Sequence, residues 1–187
     1  MAATPHTVTT DPSAPAGPSR KTRVFWSAFA SILVLDIITK LLAQRHLIEY
    51  EPVDVIGTLG RLRLVYNPGA AFGISLGDAS RWFFSIVAIV VLVVLARIYR
   101  ETDRADWIRS LALGMVCAGA IGNLFDRIRS QRGVTDFIDL GIDEWRWYTF
   151  NVADIGVSIG AILLAWSLWQ EEKAMKRRSA AEGSRVT

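Results

Sequence analysis

Four long apolar runs constrain the fold of this chain more than any other feature of its sequence. Hydrophobic residues make up 51% of the chain, and they are gathered in these runs rather than spread at the periodicity of a soluble core. A helix needs about 20 residues to cross about 30 Å of hydrocarbon, and each run approaches that length with its flanks. We therefore predict four transmembrane helices, near residues 24–43, 82–96, 111–121 and 153–169.

The residues before the first run do not resemble a signal peptide. They form a long tail rich in Pro, Ser, Thr and Ala, no small-x-small cleavage site follows the run, and Asp36 and Lys40 lie inside it. The sequence thus predicts a disordered cytoplasmic tail at 1–22, a four-helix membrane domain at 23–170, and a basic cytoplasmic tail at 171–187, also expected to be disordered.

Lysine and arginine predict the orientation of the helices, because cytoplasmic loops carry an excess of both. Twelve of the 21 basic residues precede the first run, separate the second from the third, or follow the fourth. Both termini are therefore expected on the cytoplasmic side of the membrane. This bias accounts for most of the net charge of +3, so membrane lipid is the expected partner and nucleic acid is not.

With this orientation, the strongly polar residues of the spans fall at the outer leaflet. Asp36 and Lys40 are spaced i, i+4 in the outer half of the first run, and Asn151 and Asp154 begin the fourth. A structural ion pair and a capped helix would each explain one pair. Ionisable groups in spans usually face a protein interior or cavity, so their convergence predicts a polar site.

A short strand is predicted between the first two runs. Leu62, Leu64 and Tyr66 alternate with other residues over positions 61–66, and Asn-Pro-Gly at 67–69 ends the pattern as a turn. The apolar Ala-Ala-Phe that follows suggests a segment near the bilayer, and a lid over residues 67–73 is a hypothesis. The expected fold class is an α-helical membrane protein with four transmembrane helices and a small extracytoplasmic β-sheet between helices 1 and 2.

Aspartate is the residue type best suited to chemistry at this site. Cys117 is single, and neither His6 nor His46 has a metal-ligand partner at useful spacing. No serine stands in a nucleophile-elbow context, and Lys40 is the only lysine in a span. Two carboxylates that share a proton can activate water and polarise a carbonyl, because their titrations are driven apart. Hydrolysis by an aspartate pair is therefore the reaction most compatible with these residue types.

Two other classes of protein remain open on residue types alone. A small proton-coupled transporter would use Asp36, Lys40 and Asp154 as a relay, although four spans are few and no internal repeat is visible. A structural membrane protein would leave the one-sided polar cluster unexplained. Within the proteases, a presenilin-type enzyme is disfavoured because its G-x-G-D signature is missing.

Five motifs resemble those of the bacterial lipoprotein signal peptidases, also called signal peptidase II. The resemblance covers the chain from about Trp26 to Trp169, with the motifs in the family's order. They are D-x-x-x-K at Asp36 and Lys40, N-x-G-A-A-F at Asn67, Gly69, Ala70, Ala71 and Phe72, G-N-x-x-D-R at Gly122, Asn123, Asp126 and Arg127, V-x-D-F at Val134, Asp136 and Phe137, and F-N-x-A-D at Phe150, Asn151, Ala153 and Asp154.

The resemblance implies an aspartyl endopeptidase of the bacterial cytoplasmic membrane, with its site at the outer face and no metal or organic cofactor. It would remove the signal peptide from prolipoproteins by cutting on the amino side of a cysteine that carries diacylglyceryl, and globomycin would inhibit it. The catalytic pair would be Asp136 and Asp154. The supporting or substrate-binding residues would be Asp36, Lys40, Asn67, Gly69, Asn123, Arg127 and Asn151. Asp139 lies three residues after Asp136, and only the motif match favours Asp136.

Overall fold

The computed structural model describes residues 18–69 and 77–186, with the side chains of 78 and 182–186 excepted. Four long helices dominate it: α1 (Arg20–His46), α2 (Ser80–Glu101), α3 (Trp107–Arg129) and α4 (Val152–Val186). All four are long and apolar enough to cross a membrane. Their outward surfaces are apolar, as Ile86 and Ile162 illustrate with exposed fractions of 60% and 68%. The prediction of four spans is confirmed.

Helix α3 lies at the centre of the bundle because its small residues let its neighbours approach closely. A Cβ added at Gly119 would lie 2.3 Å from the backbone oxygen of Ala153 in α4, and one at Gly114 would lie 2.6 Å from that of Phe25 in α1. Such close approach is typical of helix packing in membranes. It brings the ends of α1, α3 and α4 together at one level.

Both loops at that end of the bundle contribute to one antiparallel sheet. The strands are β1 (Val53–Ile56), β2 (Gly60–Asn67), β3 (Val134–Ile142) and β4 (Trp145–Arg146), in the order β1-β2-β3-β4. The predicted strand is β2. Strands β3 and β4 were not predicted, and they come from the loop between α3 and α4 rather than from the loop between helices 1 and 2.

The pairing of β2 with β3 sets the position of the candidate site. Val65 lies opposite Asp136, and Asn67 lies opposite Val134. Beneath the sheet, Leu64 and Phe137 pack with Ala43 of α1 in a buried apolar cluster. The sheet therefore rests on the end of the helical bundle and holds β3 beside the first turn of α4.

Parts of the two terminal segments are helical within the described residues. Helix α1 begins at Arg20, inside the segment 1–22, because the Ser19 side chain caps it by accepting a hydrogen bond from the Thr22 amide (3.3 Å). Helix α4 continues through 171–186, since this stretch is rich in helix-forming Glu, Lys, Ala and Arg. It also contains a Glu172–Lys176 ion pair at 2.5 Å. The hypothetical lid over residues 67–73 lies largely in 70–76, outside the described residues. Ala70, Ala71 and Phe72 lie wholly in that range.

Candidate active site

A buried lysine connects α1 to α3 at the end of the bundle. The Lys40 Nζ lies 2.8 Å from Asp36 Oδ2, one turn earlier in α1, and 3.0 Å from Asp126 Oδ2 in α3. It also donates to Asn123 Oδ1 at 3.0 Å. Asp36 and Lys40 are only 1% and 4% exposed. An isolated charge would be costly at this buried position. The Lys40 ammonium therefore depends on its acceptors, and these contacts hold the side chains in place.

Asp36 also determines where α4 begins. Its Oδ1 accepts a hydrogen bond from the backbone amide of Ala153 at 2.9 Å. The first amides of a helix have no partner within the helix, so this carboxylate satisfies one of them and complements the positive end of the helix dipole. Gly122 makes the contact possible, because a Cβ there would lie 2.6 Å from Asp36 Oδ2.

The first turn of α4 is closed by a reciprocal cap between Asn151 and Asp154. The Asp154 amide donates to Asn151 Oδ1 at 3.0 Å, and the Asn151 amide donates to Asp154 Oδ2 at 3.1 Å. This arrangement resembles a capping box and fixes the direction of both side chains. The i, i+3 spacing in the sequence predicted the cap of Asn151, and the structure confirms it.

Asn151 also contacts the second aspartate of the predicted pair. Its Nδ2 donates to Asp136 Oδ1 in β3 at 2.7 Å and to Asn123 Oδ1 at 3.1 Å. Asn151 is fully buried, at 0% exposure. One asparagine therefore connects the carboxylates of Asp136 and Asp154, through its side chain and its backbone amide respectively.

Helix α3 provides the remaining polar contacts with Asp154. Asn123 Nδ2 donates to Asp154 Oδ1 at 2.8 Å. Arg127, one turn further on, donates to the backbone oxygen of Asn123 at 3.2 Å, and its guanidinium is attracted by both Asp154 and Asp136. The outer end of α3 thus places one amide and one positive charge beside the carboxylate pair.

The pKa of Asp136 is raised to about 7. Burial is the main cause, since the carboxylate loses the water that would stabilise its charge, and repulsion by Asp154 adds to it. Hydrogen bonds from Asn151 and Asn67 and the charge of Lys40 act in the opposite direction. Asp136 is therefore poised to carry a proton near neutral pH.

Asp139 has a different environment from Asp136. It accepts from Arg146 Nε at 3.1 Å and lies 3.0 Å from Arg146 Nη2, so the guanidinium of β4 engages both carboxylate oxygens. Such a two-point ion pair stabilises the β3–β4 hairpin. The geometry brings Asp136, and not Asp139, to Asn151.

Asn67 and Gly69 shape the turn after β2. Asn67 Oδ1 accepts a hydrogen bond from the Gly69 amide at 3.0 Å, which is a typical turn contact of asparagine. Gly69 has φ of 122°, a conformation that favours glycine, and a Cβ there would lie 2.8 Å from Ser80 Cβ. Together with its bond to Asp136, Asn67 holds the turn close to the carboxylate.

Three residues with no role assigned from the sequence hold β3 against the bundle. Asp126 Oδ2 accepts from the Thr135 amide at 3.2 Å in addition to its contact with Lys40. Gln44 of α1 donates to the Thr135 hydroxyl at 2.7 Å. The position of Asp126 in G-N-x-x-D-R was a signal for its importance, whereas nothing in the sequence pairs Gln44 with Thr135.

No group of three or more His, Cys, Asp or Glu in 18–69 and 77–186 has an arrangement that could hold a metal ion. The arrangement found is instead a pair of carboxylates joined by buried amides at the end of four membrane helices. These features together define a polytopic membrane protein with a linked pair of carboxylates at one end of its bundle. Comparison with known proteins identifies the family.

The family described as Signal peptidase (SPase) II matches residues 28–170, and the chain belongs to it. The chain is 42% identical over 156 residues to the lipoprotein signal peptidase of Hydrogenovibrio crunogenus, covering 82% of this chain and 90% of that one. It is also 42% identical over 163 residues to the lipoprotein signal peptidase of Rhodococcus jostii, with coverage of 82% and 78%. The resemblance seen in the five motifs is thereby confirmed.

Solved structures agree with the fold. A bacterial membrane enzyme determined by the in meso method at 2.3 Å matches with a TM-score of 0.72 and 27% identity, covering 80% of this chain and 90% of that one. A second, at 1.9 Å, matches with a TM-score of 0.69 and 28% identity, covering 78% and 92%. Family membership makes this chain a peptidase, and a bacterial multi-pass membrane protein.

Proposed function

We propose that this protein is an aspartyl endopeptidase that removes signal peptides from prolipoproteins carrying a diacylglyceryl cysteine. It cleaves the peptide bond on the amino side of that cysteine. Membership of the signal peptidase II family and relatives named lipoprotein signal peptidases support the substrate class. The observation that carries the mechanism is the joint contact of Asn151 with Asp136 and Asp154.

The two aspartates have different environments, which suggests different roles. Asp136, with its pKa raised to about 7, is the protonated member and donates to the carbonyl oxygen of the scissile bond. Asp154 accepts two hydrogen bonds and lies at the positive end of α4, so its negative charge is stabilised and it serves as the base. Asp136 is buried and Asp154 is only partly buried, so Asp154 is the member that water reaches more readily.

The reaction then proceeds with one proton passing through each aspartate. Asp154 takes a proton from water as the water oxygen attacks the carbonyl carbon, while Asp136 gives its proton to the carbonyl oxygen. Asp154 next delivers its proton to the departing nitrogen as the carbon–nitrogen bond breaks, and Asp136 recovers its proton from the diol. The products are the carboxylate end of the signal peptide and the free amino group of the lipidated cysteine.

The remaining predicted residues position this pair rather than react. Lys40 and Asp36 hold α1 against α3 and the start of α4, and Asn123 orients Asp154. Arg127 stabilises negative charge near the pair, and Asn67 and Gly69 shape the turn beside Asp136. None of these roles requires a metal or an organic cofactor.

The proposed location of the site is the outer face of the cytoplasmic membrane, with both termini in the cytoplasm. The distribution of Lys and Arg supports this orientation. A substrate anchored by diacylglyceryl keeps its cysteine near the interface, and the site at the bundle end lies at that level. Water also reaches an interfacial site more readily than the middle of the hydrocarbon.

Cleavage of a purified diacylglyceryl prolipoprotein by the reconstituted protein tests the proposal. We expect mass spectrometry to show a cut immediately before the lipidated cysteine. Asp136→Asn and Asp154→Asn should abolish it, and Asp139→Asn should retain it if the hairpin stays folded. Activity that survives in a folded Asp136→Asn variant and disappears in Asp139→Asn would overturn the residue assignment. If the folded wild-type protein cut none of several lipidated substrates, the proposed peptidase function would be overturned. The proton-coupled transporter would then be the favoured hypothesis.

Globomycin provides an independent test of the same site. We expect it to inhibit cleavage and to raise the melting temperature of the wild-type protein, because a ligand that binds only the folded state stabilises it. The Asp143→Asn variant, changed at an exposed turn of the β3–β4 hairpin, should respond like the wild type. Inhibition without any thermal shift at saturating globomycin would argue against direct binding.

A further inference from the structure

Helix α4 is much longer than a membrane requires. It has 35 residues, which correspond to about 52 Å at 1.5 Å per residue, against about 30 Å of hydrocarbon. Trp166 and Trp169 lie about halfway along the helix, and tryptophan is enriched at membrane interfaces. The residues after Trp169 therefore continue as a helix through the headgroup layer and beyond it.

One continuous stripe of exposed side chains runs along α4 across this boundary. Ile159, Ile162, Trp166 and Trp169 are 45%, 68%, 43% and 50% exposed, and they are spaced by three or four residues. The same spacing continues to exposed basic side chains, so the stripe changes from aliphatic to aromatic to cationic along one face of the helix. Its basic members, here called the basic stripe, are Lys173, Lys176 and Arg177.

Contacts on the opposite face fix the rotation of this extension. Arg109 of α3 lies 2.7 Å from Glu171 Oε2 and donates to the Ser167 hydroxyl at 3.3 Å. Glu171 and Lys173 are two positions apart and so project about 160° apart around the helix. Because Glu171 faces α3, Lys173 faces away from the bundle, in the direction in which Trp169 faces lipid.

We propose that the basic stripe binds the phosphate headgroups of anionic phospholipids in the leaflet at the C-terminal end of α4. Lys173 lies about 6 Å beyond Trp169 along the helix axis and Arg177 about 12 Å. The headgroup layer is about 5–8 Å thick, and the Debye length at physiological salt is about 8 Å. All three cations are thus within reach of lipid phosphate, particularly because Lys and Arg side chains extend toward the interface.

The groups surrounding the basic stripe leave its charge available. Lys173 Nζ lies 3.7 Å from the centre of the Trp169 ring, which places the ammonium at the level of the aromatic belt. Lys176 pairs with Glu172, but the two side chains are 75% and 56% exposed, and such surface pairs are weak. Arg178 projects about 100° from Arg177, outside the stripe, and serves as a position control.

Titration of the full-length protein with lipid, followed by native mass spectrometry, tests this proposal. The protein in neutral detergent would receive phosphatidylglycerol or phosphatidylcholine, and the dissociation constant of each would be measured. We expect a preference for phosphatidylglycerol in the wild type that weakens with added salt. Replacing Lys173, Lys176 and Arg177 by Gln should weaken phosphatidylglycerol binding about a hundredfold, or about fivefold per side chain, with phosphatidylcholine unchanged.

Two matched variants control for charge and for position. Lys173→Arg with Lys176→Arg keeps the charge and should bind phosphatidylglycerol as the wild type does, and Arg178→Gln should change binding less than about twofold. Unchanged phosphatidylglycerol binding in the triple Gln variant would overturn the proposal. A wild-type dimer that the triple variant loses, with equal lipid binding, would instead assign the stripe to contact between copies. Prolipoprotein cleavage by all variants reports that the distant site remains folded.

Discussion

Asp136, the proposed catalytic acid, occupies a position that destabilises the fold when its carboxyl is ionised. In an unfolded chain its carboxyl ionises near 3.8, whereas in the folded protein its pKa is raised to about 7. Between these values the folded protein holds a proton that the unfolded chain has released. Stability is therefore lost as pH rises from about 4 to about 7, by about 4 kcal/mol for a shift of this size.

Asp136→Asn is expected to raise the melting temperature, because the amide can accept the bonds from Asn151 and Asn67 without carrying charge. The gain should be larger at pH 8 than at pH 5, since the ionised carboxylate is the unfavourable form. Thermal unfolding in detergent at both values would measure it. Asp143→Asn, at an exposed position, should show no such pH dependence. A gain of equal size at both pH values would contradict the assigned cause.

The same protonation predicts the pH dependence of catalysis. In the proposed mechanism Asp136 holds a proton that it donates to the scissile carbonyl, so kcat should fall as pH rises through about 7, approaching tenfold per unit above it. The observed midpoint belongs to the pair of aspartates rather than to one of them. A kcat that stays constant from pH 6 to pH 9 would show that this carboxyl is not the acid.

Helix α4 links catalytic geometry to helix capping through Asn151. Replacing Asn151 by Ser should keep a cap for the Asp154 amide but remove the bond to Asp136. We expect a loss of about a hundredfold in kcat from the misplaced carboxylate. Asn151→Leu removes cap and bond together and should lower the melting temperature further. Wild-type kcat in Asn151→Ser would mean that the bond between Asn151 and Asp136 does not position the pair.

Packing between α3 and α4 is expected to be sensitive to any side chain added at Gly119. An added methyl group would meet the backbone oxygen of Ala153 at 2.3 Å, so Gly119→Ala must push the two helices apart. We expect a destabilisation of about 1–3 kcal/mol and a loss of cleavage, because Ala153 lies beside Asp154. Phe125→Leu, on the exposed face of α3, is the matched control and should change neither.

The elements that could be predicted from the sequence are those with a periodic apolar pattern. Four apolar runs predicted the spans, and the alternation at 61–66 predicted β2. Strand β3 has no such alternation, because Val134, Thr135, Asp136 and Phe137 are all buried, two of them polar. It is covered on both faces by parts of the chain distant in sequence, which is information that a local pattern does not contain.

At the scale of the whole molecule, the site residues were predictable as a set but their contacts were not. The motifs named Asp36, Lys40, Asn123 and Asn151, and the structure brings all four together. Their hydrogen bonds depend on how α1, α3 and α4 cross, which close packing at glycines determines. The helical extension after residue 170 was missed because its charge indicated a solvated tail, while its helix-forming residues continued α4.

The orientation of the molecule in the membrane is a prediction at this scale. Thr58→Cys, in the loop that joins β1 to β2, should react with an impermeant maleimide added outside intact spheroplasts. Ser179→Cys, in the α4 extension, should react only after the membrane is opened; both positions are exposed. Cys117 is buried in α3 and should give little background. The reverse labelling pattern would place the aspartates on the cytoplasmic side.

The pairing of β2 with β3 has a consequence for biogenesis. A chain is synthesised from its N-terminus, and the strand with Asp136 and the helix with Asp154 are the last parts of the site to be made. Until the loop between α3 and α4 and the start of α4 have been made, β2 has no partner in β3, and Asp36 has no Ala153 amide to bind. The contacts that assemble the proposed site therefore form only after the start of α4 has been synthesised, so we expect a chain that ends before α4 to be inactive.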